Sequence, residues 1–544
     1  MSSDDLKPDP RTEDTGEPRE LSAAVQLSLI GLGLGLAFEV LLYGHRLGVS
    51  FPLWVGLSIG GLVAAAAIES VPLGLRNLWP AAPIMFLAMM TALRLEPLTV
   101  FINVVLTLGL LAIWVRSFRA GNLEYYGWLD FGLALGWVPL EALVRPWATL
   151  GLVQKRLIDE RGGKTGLFAV LRGVILAIPV LAVFLVLLSA ADLVFGEYVE
   201  IALRWFDLVR LADWAGRGLV ILFAAVFSLG AIVAALRDAG DRRLIADRGP
   251  LIKSFLGFTE VLIVLVSVDV LFVLFVIVQI AYLFGGEANV TAAGFTYSEY
   301  ARRGFGELVA VGVLSLGLIM TLAAVARRES RRQTTTFNAL SVSLVILVGV
   351  ILASALKRLL LYEQAYGFTR LRTYTHVAIV WMAVVFAAFL LLLLRERLRR
   401  FAPAFTLAVV GFAVTLNLLN VDAFIVDRNV ARVELTGELD VEYLASLSDD
   451  AVPGIVALAV NGSAETRAAL LPELGCWKGQ LEAGQNTLDW QSTHLGRVAA
   501  LKALSGMGPM LSGIAVSQES GVWWVDEGIA RRTCLHQAWW IRVD

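Results

Sequence analysis

The sequence predicts an all-α, polytopic helical membrane bundle of about 11–12 transmembrane helices, followed by a small extracytoplasmic C-terminal domain that is mainly helical. Three observations lead there. The composition is 58% hydrophobic and only 17% charged, with a mean hydropathy of +0.73, outside the range of soluble proteins. Windows of about 20 apolar residues recur up to Val426, each long enough as a helix to cross a hydrocarbon core of about 30 Å. Beyond Val426 that character stops, and about 118 polar, glycine-punctuated residues remain, enough for a domain of their own.

Residues 1–20 are rich in Asp, Glu and Pro and read as a disordered cytoplasmic tail. They lack the basic start and short apolar run of a cleavable signal. Spans are expected at 22–43, 51–69, 79–94, 97–116, 167–189, 216–236, 255–284, 305–326, 339–360, 375–394 and 404–425. The segment 123–151 is different. Its Asp130, Pro139 and Glu141, with Trp128, Trp137 and Trp147 at intervals of about ten, fit an interfacial or re-entrant piece. Gly31 with Gly35, and Gly56 with Gly60, are small-residue pairs that allow close helix packing. The domains are therefore a tail (1–20), a bundle (21–426) and an outer domain (427–544).

Orientation follows from lysine and arginine in short loops. Arg237, Arg242, Arg243, Arg248 and Lys253 fill one loop; Arg327, Arg328, Arg331 and Arg332 a second; Arg395, Arg397, Arg399 and Arg400 a third. These alternate loops read as cytoplasmic, which puts the N-terminus inside and the C-terminal domain outside. Eleven spans give the same parity, provided that 123–151 does not cross. The lipid bilayer is then the first partner. The net charge of −2 and the lack of a basic tract speak against nucleic acid.

Two outer stretches break the apolar pattern. In Phe295–Leu308, Glu299 meets Arg302 and Arg303 at i+3 and i+4, and Arg303 meets Glu307 at i+4. Lys357, Arg358, Arg370 and Arg372 lie where the orientation rule disfavours cations, interleaved with Tyr362 and Glu363. One reading is a pocket for an anionic lipid headgroup or solute, with the arginines as forks. The other is internal ion pairing with Glu299, Glu307, Glu363 and Asp192. Within the bundle, Asp269 stands mid-helix among apolar residues, so it must face other helices, either neutral or paired. By depth alone, Asn103 and Asn417 are its candidate partners. Glu260, nine residues earlier, lies on the opposite face.

Other motifs carry less. Gly56–Gly60 fits G-x-S-x-G but lies inside a helix, and only Ser58 with His376 offers a nucleophile and base. GGKTG at 162–166 lacks the first glycine of a phosphate loop. The four histidines have no metal-ligand spacing, and no cofactor motif appears. Cys476 and Cys534 are the only cysteines, and in an outer domain they suit a disulfide, with two free buried thiols as the alternative.

Four motifs together, LSAADLVF (188–195), FTYSEYARRGFGEL (295–308), ASALKRLLLYEQAYGFTRLRTY (353–374) and LDVEYLASLSDDAVPGIVAL (439–458), resemble a bacterial membrane family catalogued as domain of unknown function 4173, similar to the one numbered 4153. DWQSTHLGR (489–497) adds a weaker likeness. The resemblance implies a multi-pass protein of the bacterial inner membrane and supplies no catalytic residues. Three functions fit the residues. The first is an envelope sensor or scaffold whose domain 427–544 meets an envelope protein. The second is a transporter or channel-like protein with Asp269 in its path. The third is an intramembrane hydrolase using Ser58 and His376.

Overall fold

Inside a bilayer no water pairs with backbone N–H and C=O groups, so apolar stretches close their hydrogen bonds within helices. The computed structural model describes residues 21–160, 208–237, 254–284, 305–437, 439–487, 489–526 and 531–537, with single positions between 177 and 195. The bundle runs α1 (Ala24–Leu42), α2 (Ser50–Ile68), α3 (Leu75–Leu78), α4 (Ala81–Leu93), α5 (Pro97–Ser117), α6 (Trp128–Val144) and α7 (Pro146–Glu160). It continues with α8 (Leu208–Arg237), α9 (Phe258–Phe284), α10 (Phe305–Val325), α11 (Arg331–Tyr366), α12 (Arg370–Leu394), α13 (Phe401–Leu419) and α14 (Val421–Thr436). Among the described residues, nine helices are long and apolar enough to cross a membrane: α1, α2, α5 and α8 to α13. The protein is an all-α, multi-pass membrane protein.

Two expected spans stand apart. The one at 167–189 lies almost entirely outside the described residues. The one at 79–94 is the 13-residue α4, about 20 Å long, because Pro80 cannot continue α3 and the helix restarts after it. Segment 123–151 forms a short turn at Leu123–Tyr125, α6 and the beginning of α7. Trp128, at the start of α6, packs on Phe401 and Phe405 with ring centroids 6.0 and 5.2 Å away. Near its other end, Glu141 takes Arg145 at 2.9 Å and Arg116 at 3.4 Å. Both ends of α6 therefore lie at the arginine-rich end of the bundle, and α6 does not cross.

The glycine pairs divide. A Cβ on Gly35 would meet the Ile221 carbonyl at 2.5 Å and one on Gly31 the Ala225 carbonyl at 3.0 Å, so this pair admits α8 against α1. Among the described residues Gly60 meets nothing and Gly56 only the tip of Met85, so the second pair packs no described helix closely; Gly61 receives Ile30 and Leu34 instead. One apolar core joins α1, α2, α4, α5, α6 and α8 around Leu27, Val55, Leu87 and Trp114. A second joins α9 to α13 around Leu265, Ile319, Val348 and Phe389.

The C-terminal domain comprises α15 (Val441–Ala445), α16 (Val452–Asn461), α17 (Ala464–Thr487), α18 (Leu495–Ser505) and α19 (Gly508–Leu511), then strands β1 (Ala515–Glu519), β2 (Val522–Asp526) and β3 (Arg531–Thr533). The strands form an antiparallel sheet in the order β1-β2-β3. This small sheet was not expected, yet its signals are in the sequence. Ser520 and Gly521 both take positive φ, 51° and 79°, as a two-residue hairpin turn requires. Trp523 and Val525 are buried between exposed Val522 and Asp526, the period of a strand. Cys476 on α17 is joined to Cys534, just past β3. The domain boundary expected after Val426 falls inside α14, which runs through it unbroken. A third core, with Leu416, Val421 and Ile425 beside Leu444, Ile455 and Trp477, merges this domain with the bundle.

Candidate functional site

The polar residues of the bundle concentrate where the C-terminal domain meets it. Glu96 precedes Pro97 and caps α5, accepting from the backbone of Leu98 and Thr99 at 3.0 and 2.7 Å. Its other neighbour is Arg370, the first residue of α12, at 4.0 Å. Arg370 forks onto Asp422, with Nε donating to Oδ1 at 2.8 Å and Nη2 to Oδ2 at 2.6 Å. Asp422 has no exposed surface. It sits in the first turn of α14, which starts directly after α13 because Asn420 adopts a left-handed φ of 53°. The C-terminal domain completes the shell: the Ser448 N–H donates to Asp422 at 2.7 Å, and the Arg370 N–H donates to the Tyr443 hydroxyl at 2.8 Å. One half-buried arginine thus holds α5, α12, α14 and the C-terminal domain together. Such a pair is costly to break, because the survivor is a charge without compensation in low dielectric.

A second layer lies beside it. Asp450 accepts the Leu95 N–H at 2.7 Å, while its neighbour Asp449 pairs with Arg497 at 3.3 Å. Arg94 donates to the Asn417 carbonyl at 2.8 Å. Residues 489–497 then lie along the α1–α2 loop. Thr493 O accepts the Val49 N–H at 3.0 Å, Ser492 Oγ the Arg46 N–H at 3.0 Å, and Asp489 meets His45 at 3.0 Å. Gly496 is wedged tightly: a Cβ there would run into Asp450 Oδ1 and come within 2.9 Å of the Leu93 carbonyl. Burial pushes the Asp450 carboxyl up to about 6 and, with help from Arg497, the His494 imidazole down to about 4. The junction therefore holds both groups in their neutral forms over part of the acidic range.

The residues singled out from sequence separate into several places. Asn103 and Asn417 bond to each other, side chain to side chain, at 2.9 and 2.7 Å, and so are not the partners of Asp269. Complementary amides at one depth satisfy each other without a charge. Asp269 is 7% exposed, on the face of α9 that carries Val261 and Leu265. Neither of its carboxylate oxygens has a hydrogen-bond partner among the described residues. Glu299, Arg302 and Arg303 lie outside the described residues, and Glu307 is exposed. Lys357 is half-buried on α11. Arg358 donates to Gln279 at 2.8 Å, which also takes Ser354 at 2.9 Å.

Arg372 lies 4.1 Å over the Tyr362 ring and donates to the carbonyls of Tyr366 and Gly367. Glu363 faces His376 at 3.4 Å. Ser58 returns its hydroxyl to the Trp54 carbonyl at 2.9 Å, and its pairing with His376 finds no support in the geometry. Four of the outer charges (Arg358, Glu363, Arg370 and Arg372) are thus engaged within the protein rather than gathered around one cavity. Sequence reasoning missed Glu96, Asp422, Asp449, Asp450 and Arg497. Only Glu96 carried a local signal, an acid directly before the proline that opens a helix.

Residues 81–458 match a family described as Domain of unknown function (DUF4153). The chain belongs to this family. The DUF4153 match replaces the 4173 label that the motifs evoked. It takes in Glu96, Arg370, Asp422, Asp449 and Asp450, and it ends before the 489–497 segment that seats the C-terminal domain on the α1–α2 loop. No curated protein and no solved structure matches the chain.

Proposed function

We propose that this DUF4153 protein is a sensor or scaffold of the bacterial envelope, its outer domain meeting an envelope partner and its bundle responding through the junction. The observation that carries this reading is the Arg370–Asp422 fork, 2.6 Å at its shorter arm, with Asp422 fully buried between the C-terminal domain and the bundle. A domain tethered only to display itself needs no buried ion pair across its base. One that transmits a load or a displacement does, because the pair gives the joint a defined geometry.

A second reading, transport through the bundle, is favoured by Asp269, whose buried oxygens lack partners among the described residues. The two readings separate in one experiment. Cells lacking the gene and challenged with envelope stress are complemented with Arg497→Ala or with Asp269→Asn, and membrane levels of each variant are checked by immunoblot. The sensor reading expects Arg497→Ala to lose complementation and Asp269→Asn to keep it. The reverse pattern would transfer the function to Asp269.

A further inference from the structure

The arginine-rich end of the bundle holds two clefts that share a wall. The first, of about 730 Å³, is lined by Arg328, Arg397, Arg399 and Arg400, with Glu396 as the one carboxylate among its described lining residues. Arg328 is fixed in place, 4.7 Å over the Phe337 ring and donating to the Ala323 carbonyl at 3.0 Å. Arg400 stands 5.8 Å over the Tyr125 ring. In the same lining, the Asn338 side-chain oxygen is buried and accepts no hydrogen bond among the described residues. The second cleft, of about 360 Å³, is almost wholly apolar, with Trp79, Pro83, Phe131, Pro403 and Leu407 along it and Arg76 and Glu124 in its lining. The turn Leu123–Tyr125 separates them: Tyr125 faces the cationic cleft, Leu123 and Glu124 the apolar one.

Four spanning helices end around this place, at Val325, Arg331, Leu394 and Leu398, so it lies at the level where hydrocarbon gives way to headgroups. A free anion would use the arginines and leave the apolar cleft unfilled. A neutral lipid would do the opposite. We propose that the paired clefts bind an anionic phospholipid whose headgroup carries a free hydroxyl. Its phosphate sits among the arginines, its hydroxyl donates to Asn338 Oδ1, and one acyl chain lies between Trp79 and Leu407. Among the described lining residues, Arg328, Arg397 and Arg400 stand against one carboxylate, Glu396, which favours an anion. The site lies at the other end of the bundle from the junction and does not depend on the sensor reading.

The test uses the full-length protein, delipidated in neutral detergent, with bound lipid counted by native mass spectrometry. The probes are phosphatidylglycerol, phosphatidylcholine of the same chains, and glycerol 3-phosphate. Phosphatidylglycerol should be retained at least about tenfold better than either of the others. Replacing Arg328, Arg397 and Arg400 together by Gln should weaken it roughly a hundredfold, at about fivefold per arginine. Ala404→Trp keeps every arginine and fills the apolar cleft, so it should also displace the lipid; it carries the test if the triple variant does not fold. Equal retention of the two phospholipids overturns the proposal, as does a folded triple variant that binds like the wild type. Glycerol 3-phosphate binding as tightly as the lipid, unaffected by Ala404→Trp, would make this a free-anion site and overturn it too.

Discussion

The two ends of the bundle handle their arginines in opposite ways. At the junction, Arg370 and Arg497 are largely enclosed and each is spent on a specific carboxylate, Asp422 or Asp449. At the other end Arg397 and Arg400 stand exposed around a cleft with one acid, Glu396, among its described lining residues. The same residue type is a structural bolt in one place and a display of charge in the other. What separates them is desolvation: an enclosed guanidinium needs its partner, whereas an exposed one is screened and costs little to remove.

The sharpest break in this contrast is Arg370→Ala. It leaves Asp422 buried without its fork and should cost about 3–5 kcal/mol, read as a lower thermal midpoint in detergent. Adding Asp422→Leu should recover part of that loss. A single variant as stable as wild type would mean that the fork is not a bolt. Gly496→Ala should come next, at about 1–3 kcal/mol, because the added methyl meets Asp450 and the Leu93 carbonyl. Proteolysis of the outer domain under native conditions should accelerate in that variant and not in Gly60→Ala, where space is open.

The third effect is smaller and depends on pH. Asp450, facing Arg94, Asp422 and Asp449, titrates near 6 when folded and near 3.8 when unfolded. The folded form binds more protons between these values, so this contribution is full below about 3.8 and lost as pH rises through about 6. His494, facing Arg497 and Asp449, titrates near 4 when folded and near 6.5 when unfolded. Its contribution is full above 6.5 and lost as pH falls through about 4. Between about 4 and 6 the two slopes oppose each other, and the wild-type stability should be nearly flat. Asp450→Asn should expose the histidine slope, a fall in stability between pH 6.5 and 4 where the wild type stays nearly flat. A flat curve in that variant would remove His494 from the account. The smallest effect belongs to the far end: Arg397→Gln should change stability by no more than about 0.5 kcal/mol, and a larger loss would show that end to be bolted as well.

The spans were legible because hydrophobicity is a local property, and the membrane imposes one length on it. The shortening of α4 was missed, since 79–94 read as one span, although Pro80 marks the break. The junction was not legible either, because its partners come from distant parts of the chain. Arg370 did stand out as a cation on the wrong side, yet nothing local pointed to Asp422, which counted as the end of the last span. Asn103 and Asn417 were matched correctly in depth but assigned to Asp269, since depth fixes a layer and not an azimuth. The outer sheet was obscured by its two tryptophans, which read as easily for an exposed binding surface as for the buried face of a strand.

The contact between residues 489–497 and the α1–α2 loop has a consequence for how the protein is made. Arg46 and Ser492 touch although 446 residues separate them. At about 5–20 residues per second of synthesis, the first hairpin waits between roughly 20 and 90 seconds for the segment that covers its loop. Throughout that interval the Arg46 and Val49 amides depend on water or on another protein for their hydrogen bonds. A ribosome that stops before residue 489 leaves a bundle whose α1–α2 loop lacks these contacts from Asp489, Ser492 and Thr493.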